Sequence, residues 1–341
     1  MSSPRQIPTL EDVARAAGVS TATVSRCLNS TDSVSQKSRE KVMNAVEDLG
    51  YTPNFGARVM AAKRTFTIGA IIPTMDNAIF ARGLQAFQEA LHDRGYTLLV
   101  SSSSYRPDVE AEQIKALVAR GADGLLLIGY ERGADIYSYL ERRGVPTLVS
   151  WALSAEKPQP AIGFDNRASM YALAAKVLEL GHRHIAMISG VIAGNDRAAG
   201  RLLGITDALR AAGLDPDDLH RIETPYEIES GAEAFARLMQ ETPRPSVVMC
   251  GNDVLAVGAL QRAHEMGLRV PQDVSITGFD DIEIARIARP KLTTVHVPHR
   301  EMGRIAAEEL IAMVEGKSVG VSRALESSLR MRDSLGPPPS A

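Results

Sequence analysis

The stretch from Thr9 to Leu28 constrains the chain more than any other segment, because it is typical of two short helices joined by a tight turn. Thr9 is the expected N-cap of the first helix, and Asp12, three residues later, completes a reciprocal cap. Gly18 then ends this helix, since glycine tolerates the backbone angles of a sharp turn. Ser20 is the expected cap of the second helix. The residues of the second helix that face inward are Val24, Cys27 and Leu28.

The outer face of the second helix carries short polar side chains and one arginine, namely Thr21, Ala22, Ser25 and Arg26. A helix that is held at a steep angle to its neighbour and presents such groups suits the major groove of DNA. A generic helical hairpin is the alternative. The small residues of the turn and the polar outer face favour the DNA-reading interpretation.

Net charge is unevenly distributed along the chain. Residues 1–65 contain nine Lys and Arg against six Asp and Glu, a balance of +3, whereas the whole chain of 341 residues carries −3. The remaining residues therefore carry −6. A basic head on an acidic body indicates that a polyanionic partner binds at the N-terminal end.

After residue 66 the sequence alternates between short apolar runs and helical patterns, which is typical of doubly wound α/β domains. About ten predicted strands exceed the usual content of one small sheet, so we expect two similar parallel sheets. Facing sheets form a cleft at the carboxyl ends of their strands, where such folds bind small molecules. The predicted strands are Ile68–Ile72, Thr97–Val100, Gly124–Ile128, Pro146–Val149, His184–Ile188, Ser246–Met249, Val274–Gly278, Thr293–Val297 and one near Arg323–Ser328.

Several classes of protein are disfavoured by what the sequence lacks. Cys27 and Cys250 have no Cys or His neighbour at metal-binding spacing, so we expect no metal site and two reduced thiols. There is no apolar run of signal-peptide length, and no stretch reaches the roughly 18 apolar residues of a membrane span, so a cytoplasmic protein is expected. No catalytic triad or nucleotide-binding fingerprint is visible, so neither an enzyme nor a bound cofactor is expected.

Five segments, in order along the chain, resemble the lactose/purine repressor (LacI) family of bacterial transcription factors. The resemblance runs from Thr9 to Arg332, and further segments at 73–81, 104–113 and 161–166 are most similar to the gluconate-repressor branch. The five family-like segments are GVSTATVSRCLN at 18–29, YTPN at 51–54, GHRHIAMISG at 181–190, GNDVLAVGAL at 251–260 and VPQDVSITGFDD at 270–281.

The resemblance implies a homodimer or tetramer on a near-palindromic operator, and the lack of an obvious leucine-heptad tail favours the dimer. It also implies a periplasmic-binding-protein-like core whose chain crosses between two subdomains near Phe164, Thr294 and Val319. The expected divisions are a helix-turn-helix headpiece at 1–50, a hinge-helix linker at 51–65, a first subdomain at 66–164 plus 295–319, a second subdomain at 165–294 plus 320–335, and a disordered tail at 336–341.

By the same resemblance, residues of two helices are expected to contact DNA. Base edges in the major groove would be read by Thr21, Ala22 and Arg26, and phosphates would be bound by Thr23 and Ser25. The matching linker positions are Asn54, Ala57, Arg58 and Met60. Met60 stands where the family has a leucine that wedges between base pairs, and packing against the second copy of the linker is its alternative role.

Six residues at the predicted cleft match the family's effector positions: Phe80, Trp151, Arg201, Tyr226, Asn252 and Asp280. Aromatic faces stack on a sugar ring, while Asn, Asp and Arg bind hydroxyls or a carboxylate. Trp151, the single tryptophan, stands where many relatives have an acid, and the loss of that acid agrees with an anionic effector. Core packing is the alternative for Trp151.

Further polar residues lie near the predicted cleft. Arg197 is a second cationic candidate for the effector. Asp165, Asn252, Asp253 and Asp281 follow predicted strands, where a helix-cap or hinge role agrees with the sequence as well as a ligand role does.

The sequence therefore indicates a repressor whose operator affinity is controlled by a small sugar or sugar acid bound between two lobes. Induction and corepression both remain open. A regulator that responds to neutral sugars is one alternative. A sugar-binding receptor without a regulatory role is another, but it would need an export signal and no DNA-binding head.

Overall fold

The computed structural model describes residues 8–29, 34–52, 64–76 and 78–339. The chain forms two compact units, Met1–Thr65 and Phe66–Ala341. The predicted linker helix lies outside the described residues, and so do its DNA-facing positions Asn54, Ala57, Arg58 and Met60.

The described part of the first unit contains three helices: α1 (Leu10–Ala17), α2 (Thr21–Asn29) and α3 (Gln36–Leu49). The Thr9 N–H donates to Asp12 Oδ2 at 2.9 Å, and the Asp12 N–H donates to Thr9 Oγ1 at 3.3 Å, which is the reciprocal cap expected at the start of α1. Gly18 ends α1 with a φ of +65°. The three helices share a small apolar core that includes Val13, Val24, Cys27, Val42 and Ala45.

The second unit alternates strands with helices. Its strands, in chain order, are β1 (Thr67–Ile72), β2 (Thr97–Ser102), β3 (Gly124–Ile128), β4 (Thr147–Ser150), β5 (Ala161–Gly163), β6 (Ile185–Ser189), β7 (His220–Glu223), β8 (Val247–Cys250), β9 (Ser275–Asp280), β10 (Thr293–His296), β11 (Arg323–Ala324) and β12 (Ser328–Arg330). Its α-helices are α4 (Ala78–Asp93), α5 (Pro107–Ala119), α6 (Ala134–Arg143), α7 (Asn166–Glu179), α8 (Asp196–Ala211), α9 (Ile228–Leu238), α10 (Asp253–Glu265), α11 (Glu283–Ile287) and α12 (His299–Val314).

These strands form two six-stranded sheets with the same internal order. The first sheet runs β2-β1-β3-β4-β5-β11, and the second runs β7-β6-β8-β9-β10-β12. The pairings are parallel except for the antiparallel pair of β10 and β12. Central strands such as β1 and β9 are buried along their whole length, as expected when helices cover both faces of a parallel sheet. We call the first sheet with α4, α5, α6 and α12 the first lobe, and the second sheet with α7 to α11 the second lobe.

The chain passes between the lobes three times, after β5, after β10 and between β11 and β12. The segment near Arg323–Ser328, expected to be one strand, is therefore two strands that belong to different sheets. The second crossing follows His296, slightly later than Thr294, and the third follows Ala324, later than the expected Val319. The sequence pattern did not predict this division, because the alternation of apolar and polar residues along a strand does not indicate which sheet the strand joins.

The short strand β7 was not predicted from the sequence. Strand β7 lies at a sheet edge and is only partly buried, so it lacks the apolar run that marks a central strand. The expected disordered tail begins at Gly336, but this residue is attached to the second lobe, because its N–H donates to Ser275 Oγ at 3.1 Å. No described helix combines the length and the apolar character needed to cross a membrane.

Glycines let three pairs of helices approach each other closely. A Cβ atom at Gly204 of α8 would overlap with the carbonyl oxygen of Arg167 in α7. A Cβ atom at Gly258 of α10 would overlap with the backbone of α9, and one at Gly303 of α12 would overlap with the backbone of α4. The rigid backbone on the other side cannot move aside as a side chain would, so these contacts set the spacing of the helices.

We expect Gly204→Ala to lower the free energy of unfolding by about 1–3 kcal/mol, because overpacking forces the two helices apart. Gly200→Ala is the matched control on the same helix, since its added Cβ would come no closer than 3.3 Å to the nearest atom. The control should be neutral or slightly stabilising, because alanine favours the helix by up to about 1 kcal/mol. Denaturant unfolding measures both variants, and equal stability of the two would contradict this account of the helix contact.

Candidate functional site

Helix α2 turns the predicted DNA-reading residues outward. Thr21, Ala22 and Arg26 are exposed, whereas Val24 and Cys27 are buried in the core of the unit. Helix α2 therefore has the two sides that the sequence predicts. Its apolar side packs against α1 and α3, and its polar side is exposed.

Hydrogen bonds within α2 fix the positions of its other polar groups. The Thr23 N–H donates to Ser20 Oγ at 3.2 Å, and the two hydroxyl oxygens lie 2.9 Å apart, so Ser20 caps the helix as expected. The Arg26 Nε–H donates to the Ala22 carbonyl at 3.3 Å, which lays the guanidinium along the exposed face. Ser25 is half-buried.

In the second unit, five of the six predicted effector residues surround one small cavity between the lobes. The cavity has a volume of about 20 Å³, and we call it the inner cavity. The predicted residues that line it are Phe80, Trp151, Arg201, Tyr226 and Asp280. They come from α4, α8 and the segments at the carboxyl ends of β4, β7 and β9, which is where open α/β sheets bind ligands.

Asn252, the sixth predicted residue, does not line the inner cavity. It caps α10 instead, because its Oδ1 accepts the Leu255 N–H at 2.9 Å. Sequence reasoning also missed residues that do line the cavity: Ile79, Tyr105, Asn166 and Asn195. Tyr105 lies shortly after β2, and Asn166 and Asn195 lie at helix starts that follow β5 and β6. Their position after a strand was therefore the signal that could have identified them as cavity residues.

Arg201 carries a buried positive charge that lacks a carboxylate partner in the described part of the chain. Its Nη2–H donates to Tyr226 Oη at 3.2 Å, and its guanidinium lies 4.8 Å from the centre of the Phe279 ring. No Asp or Glu oxygen of the described residues lies within the 4.0 Å of a salt bridge, and Arg201 Nε has no hydrogen-bond partner there. Burial lowers the pKa of Arg201, but Tyr226 and Asp280 raise it by more, so the guanidinium stays charged.

Asp280 lies on the same cavity with a carboxyl group that is only partly ionised near neutral pH. Burial raises its pKa to about 7, although Arg201 acts in the opposite direction. Its Oδ2 has no hydrogen-bond partner among the described residues. His299 Nε2 lies 3.8 Å from Asp280 Oδ1, but burial lowers the pKa of this histidine to about 3, so the contact is not an ion pair at neutral pH.

The cavity wall is aromatic and its backbone is unusual. Trp151 stacks on His299 with ring centres 6.3 Å apart and packs against Phe80 at 5.5 Å. Trp151, Asp280 and Tyr105 have φ values of +61°, +105° and +58°. Residues other than glycine rarely adopt this region of backbone conformation. Such conformations cost free energy and concentrate where a site must aim particular groups.

The structure resolves the alternatives for the other polar residues near the cleft. Asp165 caps α7 by accepting the Ala168 N–H at 2.9 Å. Asp253 is fully buried and accepts hydrogen bonds from the Ile282 N–H and the Thr294 hydroxyl. Asp281 does not cap α11 but accepts from Arg286 at 3.2 Å and from Arg332, in the hinge between the lobes.

Arg197 also lines the inner cavity, but its charge is already balanced. Its Nη1–H donates to the adjacent Asp196 Oδ1 at 2.8 Å and to the Ile128 carbonyl at 3.2 Å. Arg201 is therefore the cavity arginine that has capacity for a further anion.

A DNA-reading helix pair followed by two lobes around a polar cavity defines a class of ligand-controlled DNA-binding proteins, and comparisons with known proteins agree. The family model for bacterial regulatory proteins of the lacI family matches residues 9–54, and that for a periplasmic binding protein-like domain matches residues 174–335. The HTH-type transcriptional repressor PurR of Salmonella newport is 34% identical over 311 residues, 91% of each chain. Catabolite control protein A of Priestia megaterium is 30% identical over 314 residues, 92% of this chain and 95% of its own.

Solved structures with the same architecture include three regulators. A LacI-family regulator from Silicibacter pomeroyi has a TM-score of 0.86 at 26% identity, covering 96% of this chain and 99% of its own. A lac repressor dimer bound to operator and the anti-inducer ONPF has a TM-score of 0.85 at 28% identity with the same coverage. The transcription regulator GntR from Chromobacterium violaceum has a TM-score of 0.75 at 29% identity, covering 79% of this chain and 98% of its own.

The chain therefore belongs to the LacI family of bacterial regulatory proteins. It is a DNA-binding transcriptional repressor with an effector-binding core, and it is not an enzyme.

We expect the stability of the protein to report the unusual carboxyl group of Asp280. Its folded-state pKa of about 7 lies above the ordinary aspartate pKa of 3.8, so the stability that its protonated form contributes is present below pH 4 and is lost as the pH rises through 7. Asp280→Asn removes this loss of stability with rising pH, because the asparagine side chain does not ionise. The variant should therefore gain stability relative to the parent protein as the pH rises from 4 to 7, by up to about 4 kcal/mol, with no further change above that.

Denaturant unfolding between pH 5 and pH 8 measures this difference. Asp207→Asn is the control, because hydrogen bonding to Arg167 lowers the pKa of that half-buried carboxylate and nothing at this position titrates in the range. A stability difference for Asp280→Asn that stays constant across the range would refute the assignment.

Proposed function

We propose that this repressor binds a small sugar acid between its two lobes and that this ligand controls its affinity for operator DNA. The observation that carries the proposal is the buried guanidinium of Arg201, which faces the inner cavity and makes no salt bridge with the described residues. A buried charge without a partner is costly, and a ligand carboxylate would supply the partner.

The remaining groups of the cavity fit the rest of such a ligand. Trp151, Phe80 and Tyr226 supply aromatic faces for the carbon skeleton, and Asn166 Oδ1 and Asp280 Oδ2 have free hydrogen-bonding capacity for hydroxyl groups. Because the pKa of Asp280 is about 7, its carboxyl group is partly protonated at neutral pH and repels an anion less than an ordinary aspartate would. The similar GntR structure supports placing the chain in the gluconate-repressor branch.

The size of the site implies that ligand binding requires motion. The inner cavity of about 20 Å³ has space for about one water molecule, far less than a six-carbon acid needs. A second cavity of about 330 Å³, which we call the outer cavity, shares Tyr105, Asn195 and Tyr226 with it. The Tyr105 and Tyr226 rings, 5.9 Å apart, border both spaces. We propose that the ligand enters when these rings or the lobes separate, which links occupancy to lobe orientation.

On the DNA side, we propose that Thr21, Ala22 and Arg26 read base edges and that Thr23 and Ser25 bind phosphates. The exposure of the first three residues supports this division. The linker roles of Asn54, Ala57, Arg58 and Met60 remain predictions from the family pattern. A cytoplasmic homodimer on a near-palindromic operator is the proposed assembly, and the dimeric lac repressor on its operator supports it.

A regulator of neutral sugars is the second candidate function. The aromatic wall, which would stack on any pyranose ring, is the observation that favours it. Arg201, which makes no salt bridge with the described residues, distinguishes the two candidates, because only an acid would pair with its charge.

We expect Arg26→Ala to remove about 1–3 kcal/mol of discrimination between the operator and an operator with one altered base pair, because a bidentate contact to guanine is lost. A competition gel shift at fixed salt, with DNA from beside the gene, measures the ratio. Arg15→Ala, an exposed arginine on α1, is the control and should change both affinities equally. An unchanged ratio in Arg26→Ala would exclude a base-reading role.

We expect aldonates or uronates, and not neutral sugars, to raise the melting temperature in scanning fluorimetry, because only an acid pairs with Arg201. Arg201→Ala should abolish the shift, whereas Arg210→Ala, an exposed arginine on the same helix, should keep it. A saturating acid should also change operator affinity in the gel shift. A response to neutral sugars alone would reject the anionic assignment.

A further inference from the structure

The two lobes touch at a second place, away from the hinge. The loop that follows β3 belongs to the first lobe, and the start of α8 belongs to the second. The Tyr130 N–H of this loop donates to Asp196 Oδ2 at 2.6 Å, and the Arg197 Nη1–H donates to the Ile128 carbonyl at 3.2 Å. Both bonds involve a charged side chain, and such bonds are stronger than neutral ones.

Gly129, between the two bonded backbone groups, makes this approach possible. Its φ is +68°, and a Cβ atom at this position would overlap with Arg197 Nη1 and with the Asp196 carboxylate. A side chain at 129 would therefore displace the Arg197 and Asp196 side chains from their hydrogen bonds with the loop.

The loop is held in place by its own lobe, whichever way the second lobe lies. Arg132 Nη1–H donates to the Gly129 carbonyl at 2.8 Å, and Arg132 Nη2–H donates to the Ile128 carbonyl at 3.2 Å. The Arg132 side chain is only 2% exposed and pairs with Glu110 at 3.1 Å. On the other side, Asn195 caps α8 by accepting the Ala198 N–H at 3.3 Å, which fixes Asp196 at the first position of the helix. Two preformed surfaces therefore meet at this contact.

From this geometry we propose that Asp196 and Gly129 form a latch that holds the lobes in the closed arrangement and thereby limits access to the inner cavity. Asp196 does not line that cavity, so it is a positioning residue rather than a ligand contact. The closed arrangement leaves too little space for a sugar acid, so the latch stabilises a state that must open before ligand enters. Its role in effector control rests on the function proposed above, whereas its effect on closure does not.

The test measures closure without any effector, on the full-length protein. Hydrogen exchange at the Tyr130 amide reports the latch directly, and acrylamide quenching of Trp151, the single tryptophan, reports access to the cavity. We expect Asp196→Ala to accelerate exchange at Tyr130 by about tenfold or more, since a charge-assisted hydrogen bond is lost, while exchange in β3 is unchanged. Quenching of Trp151 should increase in Asp196→Ala and in Gly129→Ala.

Matched controls separate the latch from general damage. Asp207→Ala removes an acid from the same helix, away from the cleft. Gly144→Ala introduces the same backbone strain, with a φ of +63°, at a site where an added Cβ would meet nothing within 4 Å. In both controls, the quenching of Trp151 and the hydrogen exchange of the Tyr130 amide should equal those of the parent protein. Unchanged quenching and Tyr130 exchange in the two latch variants, or equal increases in the controls, would overturn the latch. A latch that behaves as expected in a protein that binds no acid would refute only the proposed effector.

Discussion

The carboxylate of Asp281 ties together separate parts of the chain where the two lobes join. It accepts hydrogen bonds from Arg286 at 3.2 Å and from Arg332, and it contacts His296 Nδ1 at 3.0 Å. His296 ends β10, where the chain crosses between lobes for the second time, and Arg332 follows β12, just beyond the third crossing. Burial would raise the pKa of Asp281, but these bonds lower it by more, so the carboxylate is charged and holds the hinge.

The adjacent residue Asp280 experiences the opposite electrostatic environment. It faces the inner cavity with Arg201 as its cationic neighbour, and burial raises its pKa to about 7. Both aspartates have positive φ values, +105° and +53°, so the backbone turns sharply and directs the two side chains to different surroundings. The same residue type therefore holds the hinge at position 281 and presents a partly protonated carboxyl group to the inner cavity at position 280. The difference comes from the number of cations within hydrogen-bonding distance.

Control of DNA binding by a ligand requires that the ligand distinguishes two arrangements of the lobes. In the arrangement described here, the paired rings of Tyr105 and Tyr226 and the contact of Asp196 with Tyr130 join the two lobes. The proposed ligand would compete with some of these contacts and add its own to Arg201. The balance between the two sets, rather than the affinity of the cavity alone, determines how far the ligand shifts the equilibrium.

Local patterns predicted much of this protein from sequence. The capping pair of Thr9 and Asp12 and the turn at Gly18 depend on neighbours a few residues away, so spacing along the chain was sufficient to place them. The central strands were found because each is an apolar run buried on both faces, and the family pattern then brought Phe80, Trp151, Arg201, Tyr226 and Asp280 to one cleft. The position of each of these residues at a strand end or on a helix follows from the order of elements along the chain.

What depends on distant parts of the chain was not predicted. The division of the segment near Arg323–Ser328 between two sheets and the place of Tyr105 in the cavity wall each require knowledge of which elements meet. The same holds for the balanced charge of Arg197 beside the unbalanced charge of Arg201, since both are arginines on one helix. The sequence by itself determined the helix caps, the buried strands and the class of protein, because these follow from side-chain types at short spacing. Only the tertiary structure decided which charges are neutralised and which remain for a ligand, because that depends on groups brought within a few ångströms from distant positions in the chain.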